Sequence, residues 1–245
     1  MPRHLLLRLE APMVAFGGET IDNYGVIRDF PALSMVTGLL ANALGWRRED
    51  ADLHNRLQNR LVLGARRESI GNRLRDYQTA LLFENDQVWT TVGVPEGRAK
   101  SPSYSKLADG RKALTLQRYR DYHANLSTLI ALRLEPADEA PTLGDLAHAL
   151  DHPARPLFIG RKPCLPSRRI FAGWQDGRNI LQVLQSTACL DSSAGNLQMQ
   201  WPDGEGELQG DRKLDLCDER NWTSGVHGGW RPVRKGTFKP GEVQI

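Results

Sequence analysis

Long apolar runs are missing from this chain of 245 residues. No stretch approaches the roughly 18 consecutive apolar residues that cross a bilayer as a helix. The first ten residues are a short apolar run broken by Arg3, His4 and Arg8, without a small-residue cleavage site. We therefore expect neither a membrane span nor a signal peptide, and we expect the protein to stay in the cytoplasm.

Cysteine is also scarce. Cys164, Cys189 and Cys217 are widely spaced and odd in number, which argues against a disulfide framework and fits a reducing compartment. No CxxC pair occurs, and His148 and His152 stand four residues apart without a second pair of ligands. The sequence therefore predicts no metal and no cofactor.

Net charge is small, at +3, but the kind of cation is distinctive. Arginine supplies 25 of the 32 cationic residues. Its planar guanidinium binds phosphate through two hydrogen bonds and stacks on bases. A GC-rich genome would produce the same excess, so the positions of the arginines must decide between the two explanations.

Apolar periodicity predicts the order strand, helix, strand, strand, helix, strand over the first two-thirds of the chain. This is an α+β, ferredoxin-like order, which RRM-type RNA-binding proteins use. Residues 84–116 are rich in Gly, Pro, Ser and Thr and predict a long loop, whereas residues 170–245 predict short strands with turns. The predicted strands are His4–Leu9, Leu61–Arg66, Ile70–Tyr77, Tyr119–Leu134 and Leu157–Gly160, and the predicted helices are Ser34–Leu44, Asp52–Arg60 and one beginning at Thr142.

Two similar stretches, LRDYQT (Leu74–Thr79) and RYRDYHANL (Arg118–Leu126), each place an arginine and a tyrosine two residues apart. Residues two apart on a strand share a face, so each stretch can present a phosphate donor beside a stacking ring. Gly17 and Gly18 follow the first strand, where glycine lets a ligand approach the backbone closely. A tight turn would explain the same two glycines.

The most cationic part of the chain lies between these stretches. Residues 98–120 hold seven cations against a single acid, Asp109. Basic segments with interleaved aromatic residues are typical of RNA backbone recognition, although a solvated loop has the same composition. A second basic stretch, FIGRKPCLPSRR (Phe158–Arg169), contains no acid. The candidate RNA-binding cations are Arg98, Lys100, Lys106, Arg111, Lys112, Arg118, Arg161, Lys162 and Arg168.

Five segments in register resemble the CasD family of CRISPR Cascade subunits, part of the RAMP superfamily. The resemblance covers roughly residues 4 to 171. It implies a non-catalytic subunit of a type I-E surveillance complex that caps the 5′ handle of the CRISPR RNA (crRNA). It also implies contacts with the backbone subunit and the large subunit, and with target DNA only through the complex. The segments are LRLEAPM, DFPALSMVTGLLANALG, LRDYQT, RYRDYHANL and FIGRKPCLPS.

The resemblance also implies a layout. Residues 1–170 would form the ferredoxin-like RNA-binding domain, with a basic thumb inserted at about 80–116, and residues 171–245 a small β-rich region. An Arg-Pro-Thr segment of the family is replaced here by Gly25, Val26 and Ile27, and we expect Arg28 to compensate from a shifted position. The handle-binding positions that carry over are Gly17, Arg75, Tyr77, Arg161 and Lys162.

Two other functions stay open. A related CRISPR subtype uses its version of this protein as the metal-independent endoribonuclease that matures crRNA, which needs a base near the 2′-OH and a proton donor for the leaving oxygen. The third possibility is an RRM-like regulator of messenger RNA, which needs exposed aromatic residues on its sheet; the predicted strands here are mostly aliphatic. The candidate catalytic groups, which sequence alone does not assemble into a site, are His123, Tyr122, Tyr77 and Lys162.

Overall fold

A computed structural model describes residues 1–20, 22–69, 71–83, 86, 88–89, 95–96, 105–191 and 195–240. Within these ranges the chain is a mixed α/β protein with four helices packed on an antiparallel sheet. No helix in these ranges is long and apolar enough to cross a bilayer. The helices are α1 (Leu33–Ala43), α2 (Ala51–Arg60), α3 (Leu143–Asp151) and α4 (Ile180–Ser186).

Most of the strands belong to one sheet. The strands are β1 (Arg3–Val14), β2 (Tyr24–Gly25), β3 (Leu61–Arg67), β4 (Asn72–Phe83), β5 (Val88–Trp89), β6 (Pro95–Glu96), β7 (Ser105–Lys106), β8 (Lys112–Leu134), β9 (Phe171–Asp176), β10 (Leu197–Pro202), β11 (Arg212–Leu216) and β12 (Arg231–Phe238). Their order in the sheet is β11-β12-β10-β3-β8-β1-β9. Three more strands, β2, β4 and β7, pair with β8, and β2 does so in parallel.

Both faces of the central strands are covered. Side chains alternate along β1, so the strand contributes to a different cluster on each face. Leu5, Leu7 and Leu9 face the larger core cluster, which includes buried residues of α1 and α3. Leu6 points the other way, into a smaller cluster beneath α4 and β10 that contains the fully buried Trp201. Within the described residues, β1, β3 and the body half of β8 therefore present no solvent-exposed aromatic face of the kind an RRM-type regulator needs.

Several sequence predictions are confirmed. The helices predicted at Ser34–Leu44 and Asp52–Arg60 correspond to α1 and α2. The helix predicted from Thr142 is α3, and its first turn forms a capping box: the Thr142 hydroxyl accepts from the Asp145 amide at 3.2 Å, and the Asp145 carboxylate accepts from the Thr142 amide at 2.8 Å. Local chemistry was enough to locate these helices.

The strand predicted at Leu157–Gly160 is wrong. Ile159 is buried as an apolar strand residue would be, but its amide donates to the Cys164 carbonyl at 2.7 Å in a local turn. Its carbonyl accepts one bond from Ala15, at 3.2 Å. The strand that pairs with β1 on this edge is β9, which begins at residue 171. Since a short apolar run indicates burial rather than a ladder, the pattern could not separate the two.

The predicted boundary at residue 170 stays a prediction, and the sheet continues across it. β9 pairs with β1, and β10 pairs with β3. The C-terminal region holds the predicted short strands, and it also holds α4, which the sequence reading did not include.

The predicted loop at 84–116 extends too far at its C-terminal end, because β8 begins at Lys112 rather than at Tyr119. The strand predicted to end at Tyr77 continues to Phe83. β4 and β8 form an unbroken antiparallel ladder from Asn72–Ala124 to Phe83–Ala113. This hairpin arm (residues 72–83 and 112–124) is one ladder with two largely solvated faces, and most of β4 is exposed. The Gly, Pro and Lys content of the intervening segment suggested a loop, but cross-strand pairing decided where the strands end.

Candidate nucleic-acid interface

Three tyrosines form a row across the base of the hairpin arm. Tyr24 of β2 stacks on Tyr119 of β8 with 5.0 Å between ring centroids and 11° between planes, and Tyr77 of β4 lies 5.0 Å from the other side of Tyr119. The row exists because the ladder places Tyr77 opposite Tyr119 and β2 places Tyr24 beside it. The outer rings, Tyr24 and Tyr77, are 46% and 52% exposed. Each therefore offers a free aromatic surface to a ligand.

Two arginines flank this row around a buried carboxylate. Asp121 is buried, and its carboxylate accepts from Arg75 Nε at 2.7 Å and from Arg73 Nη2 at 2.6 Å. The hydrogen bond from Arg75, aided by the one from Arg73, holds the pKa of Asp121 below its usual range although burial opposes this. Both guanidiniums stay more than half exposed. We call Tyr24, Tyr77, Tyr119, Arg73 and Arg75 together the tyrosine face.

Arg161 connects this surface to the body of the protein. Its Nη1 donates to the Asp121 carbonyl at 2.8 Å and its Nη2 to the Gly25 carbonyl at 3.0 Å. Its guanidinium also lies 4.8 Å from the centre of the Tyr122 ring. Arg161 thus holds β2 against β8, which makes it a positioning residue for Tyr24 as well as a cation next to the tyrosine face.

A cleft of about 410 Å³ opens beside Arg161. Gly17 and Gly18 form one wall, and residues of the loop between β11 and β12 form another. Arg28 also lines the cleft, where its Nη2 donates to the Cys217 carbonyl at 2.8 Å and pairs with Glu19. The predicted Gly17 and Arg28 are therefore brought together with Arg161, although Arg28 is already engaged within the protein.

The remaining predicted cations lie apart from the tyrosine face. Lys112 and Arg118 are exposed on the arm, and Lys106 is exposed on β7, which pairs with the start of β8. Arg111, at its end, pairs with Asp109 at 2.7 Å and lies over the Phe83 ring. Arg168 is about 3.0 Å from Glu10 across the body, and Lys162 is exposed in the turn after Arg161. The predicted Arg98 and Lys100 lie outside the described residues.

The proposed catalytic groups do not come together. His123 is buried, its Nε2 lies 2.9 Å from the Arg28 carbonyl, and burial lowers its pKa. Tyr122 is buried on the opposite face of the strand, beneath Arg161. Tyr77 pairs with Tyr119, four residues from His123, which is roughly 13 Å at strand spacing. Within the part of the chain that the structure describes, His123 has no hydroxyl or ammonium partner for acid–base chemistry.

The family of the chain follows from a comparison with family models. Residues 4–234 match the model described as CRISPR-associated protein (Cas_Cas5). The chain belongs to this family. The match extends well beyond residue 171, where the sequence resemblance ended, so the C-terminal strands are part of the family's fold.

Individual relatives agree with this assignment. The CRISPR system Cascade subunit CasD of Escherichia coli (strain K12) is 29% identical over 182 residues, covering 71% of each chain. Among solved structures, one titled "CRISPR RNA-guided surveillance complex" superposes with a TM-score of 0.63 over 97% of this chain and 90% of the other. A second, titled "Crystal structure of Cas protein", gives 0.60 over 97% and 95%. Both are 19% identical to this chain, and the likeness concerns the fold.

Sequence reasoning missed four members of the tyrosine face and its support: Tyr24, Arg73, Tyr119 and Asp121. The repeated Arg-Asp-Tyr triplet was the available signal. It was interpreted as two equal Arg–Tyr pairs, but in the ladder Arg75 faces Asp121 and Tyr77 faces Tyr119. The second triplet therefore supplies the acid and a neighbouring tyrosine, while its own Tyr122 is buried.

Proposed function

We propose that this chain is a non-catalytic subunit of a CRISPR surveillance complex that binds the 5′ handle of crRNA. It contacts the backbone and large subunits and meets target DNA only through the complex. The family match and the relationship to a Cascade subunit support this assignment. The physical support comes from the tyrosine face.

The tyrosine face carries the proposal because it combines the two interactions that hold unpaired nucleotides. Aromatic rings stack on bases of any sequence, and arginines bind the backbone phosphates. Tyr24 and Tyr77 present exposed rings on either side of Tyr119, and Arg75 and Arg73 lie one and two steps from Tyr77 along the same face. Asp121 fixes the two guanidiniums without burying them.

The central strands are covered, so RNA bases would stack on the tyrosine face instead. The strand order β9-β1-β8-β3, with helices between β1 and β3 and between β8 and β9, is that expected of a ferredoxin-like domain. Since both faces of those strands are covered, bases cannot stack there as they do in RRM-type proteins. We propose that the hairpin arm forms the base of the family's thumb and that RNA runs across it.

The subunit is proposed to be non-catalytic because the candidate catalytic groups do not come together. Holding RNA needs cations and accessible rings, whereas cutting it needs a positioned acid and base. Among the described residues, the buried His123 is bonded to a carbonyl and has no such partner. We expect the purified chain to leave labelled repeat RNA intact, and site-specific cleavage that disappears in His123→Ala would instead support the endoribonuclease alternative.

The test is co-expression of the tagged chain with the other subunits and the CRISPR array. We expect the wild type to co-purify with several subunits and one uniform crRNA. The variant Tyr24→Leu/Tyr77→Leu should lose crRNA, because stacking contributes about 1–3 kcal/mol per base. Leu53→Ala, which removes an exposed apolar side chain of α2, is the matched control. Mixed cellular transcripts in place of crRNA would contradict the proposal, as would equal crRNA retention in both variants.

A further inference from the structure

We infer that the cleft beside the tyrosine face holds one nucleotide of the bound RNA, with its phosphate on Arg220. This inference rests on the proposed function and extends it to the C-terminal region, to which the sequence assigned no role. The cleft's outer wall is a strap (residues 217–231) that crosses the first two helices. We call the space between the strap and Gly17–Gly18 the strap cleft.

The strap is fixed in place by side chains of α2. Gln58 accepts from the Arg220 amide at 3.2 Å and donates to the Arg220 carbonyl at 3.1 Å, and Asn55 accepts from the Trp222 amide at 3.1 Å. At the start of the strap, the buried Asp218 accepts from the Leu33 amide at 2.9 Å. The backbone that carries Arg220 is therefore preorganised, which lowers the entropic cost of binding a ligand.

The strap cleft has an excess of positive charge once its internal pairs are taken into account. Its two acids are occupied: Glu19 pairs with Arg28, and Asp218 forms a two-point pair with Arg231 at 2.7 and 2.8 Å. The hydrogen bonds of Arg161 to other described residues go to carbonyl oxygens. Arg220 forms no salt bridge within the described residues, and its buried Nε has no hydrogen-bond partner there. Because Arg220 is only half buried and has no internal ion pair among the described residues, an anion can bind its terminal guanidinium nitrogens without displacing a carboxylate.

The shape of the cleft fits one nucleotide better than a bare phosphate. Its volume of about 410 Å³ lies within the range of small-ligand sites. Gly17 keeps one wall open, since a Cβ added there would meet nothing within 4 Å. Ala15, Ala32 and Met35 add apolar surface against which a base or sugar can pack. The site can thus hold an apolar ring and an anionic group together.

Continuity with the tyrosine face identifies the ligand as part of a nucleic-acid strand. Arg161 lines the strap cleft, and it also bonds Gly25, the residue next to Tyr24, and Asp121, which holds Arg73 and Arg75. A strand stacked on the tyrosines therefore needs only to pass Arg161 to enter the cleft. A free nucleotide or an acidic peptide would gain nothing from this connection.

The test uses the full-length chain and a 3′-labelled single-stranded RNA with the repeat-derived 5′ end of the crRNA. Arg220→Gln should weaken binding about ten- to a hundred-fold, as expected for a charge-assisted hydrogen bond. It should also reduce the slope of log K against log salt by about 0.7. Arg212→Gln, an exposed arginine of the same region, is the matched control and should change neither quantity.

A second pair of variants removes space instead of charge. Gly17→Val should obstruct the cleft and weaken RNA binding without loss of thermal stability, because its side chain enters open space. Gly195→Val, which also enters open space, should bind as the wild type does. Stacking on the tyrosine face would be intact in both variants.

The outcomes separate this inference from the proposed function. Wild-type chain that does not bind the RNA overturns both. Tight wild-type binding that neither Arg220→Gln nor Gly17→Val weakens overturns the strap cleft alone. If Arg220→Gln binds RNA normally but fails to co-purify with the other subunits, the cleft receives an acidic segment of a partner protein, and the inference is wrong.

Discussion

One strand, β8, belongs to two regions with opposite properties. From Leu126 to Leu134 it runs in the body between β1 and β3, and Leu129, Ile130, Ala131 and Leu132 have no exposed surface. From Ala113 to Ala124 it pairs with β4 in the hairpin arm, where most of its residues are exposed or only half buried. The same extended backbone therefore packs in the core at one end and forms a largely exposed surface at the other.

The difference shows what stabilises each half. In the body, apolar side chains on both faces meet helices, so burial provides the stability. In the arm, the ladder is held by cross-strand pairs, namely the tilted rings of Tyr77 and Tyr119 and the carboxylate of Asp121 between two arginines. The two arginine side chains and the Tyr77 ring are about half exposed, so the arm keeps its cations and rings accessible.

The largest expected effect is in the body. Ile130→Ala should lower the free energy of unfolding by about 2–5 kcal/mol, because it leaves a cavity in a fully buried position. Thr115→Ala, in the exposed half of the same strand, should change it by less than about 0.5 kcal/mol. Urea denaturation measures both, and similar losses in the two variants would show that the arm and body are not energetically distinct.

The next effect concerns the carboxylate that supports the arm. Asp121→Asn should destabilise the ladder locally by about 1–3 kcal/mol, because a buried group loses charge-assisted hydrogen bonds. Hydrogen exchange should accelerate in residues 72–83 and 113–124 while β1 and β3 stay protected. Asp76→Asn is the control, since the Asp76 carboxylate accepts from the exposed, neighbouring Gln78 on the same strand. Uniform acceleration across the sheet would contradict a local role.

This contribution should depend on pH with a definite sign. The pKa of Asp121 is lowered in the folded protein, chiefly by the hydrogen bond from Arg75. The stabilisation is therefore fully present above the unfolded pKa, about 3.9, and disappears as the pH falls through the lower folded value. We expect the stability difference between the wild type and Asp121→Asn to be constant above about pH 5 and to shrink below pH 4. A difference that grows with acid would contradict it.

The smallest effect on stability is expected at the end of the arm. Arg111→Ala removes an exposed pair with Asp109 and a contact with the Phe83 ring, and surface pairs contribute little. The melting temperature should not change measurably. RNA binding should become slightly less salt-dependent if the arm contacts the RNA phosphates. A clear drop in melting temperature would show that the end of the arm is part of the folding unit.

Local patterns predicted much of the body correctly. The capping box at Thr142, the helix from Ser34 and the long apolar strand ending at Leu134 each depend on neighbours within a few residues. Leu157–Gly160 failed because a buried loop and a buried strand have the same composition. The candidate site was predicted in part: Gly17, Arg28 and Arg161 do meet, and Arg75 and Tyr77 do share a face.

The sequence by itself determined the first three helices, most of the apolar strands and the family, because these depend on short-range periodicity and on segments in register. Only the tertiary structure decided which partners the polar residues have. The register of β4 on β8 placed Tyr77 against Tyr119 and Arg75 against Asp121, and the strap brought Arg220 to Gly17 across the chain. Such contacts join residues far apart in sequence, and periodicity carries no information about them.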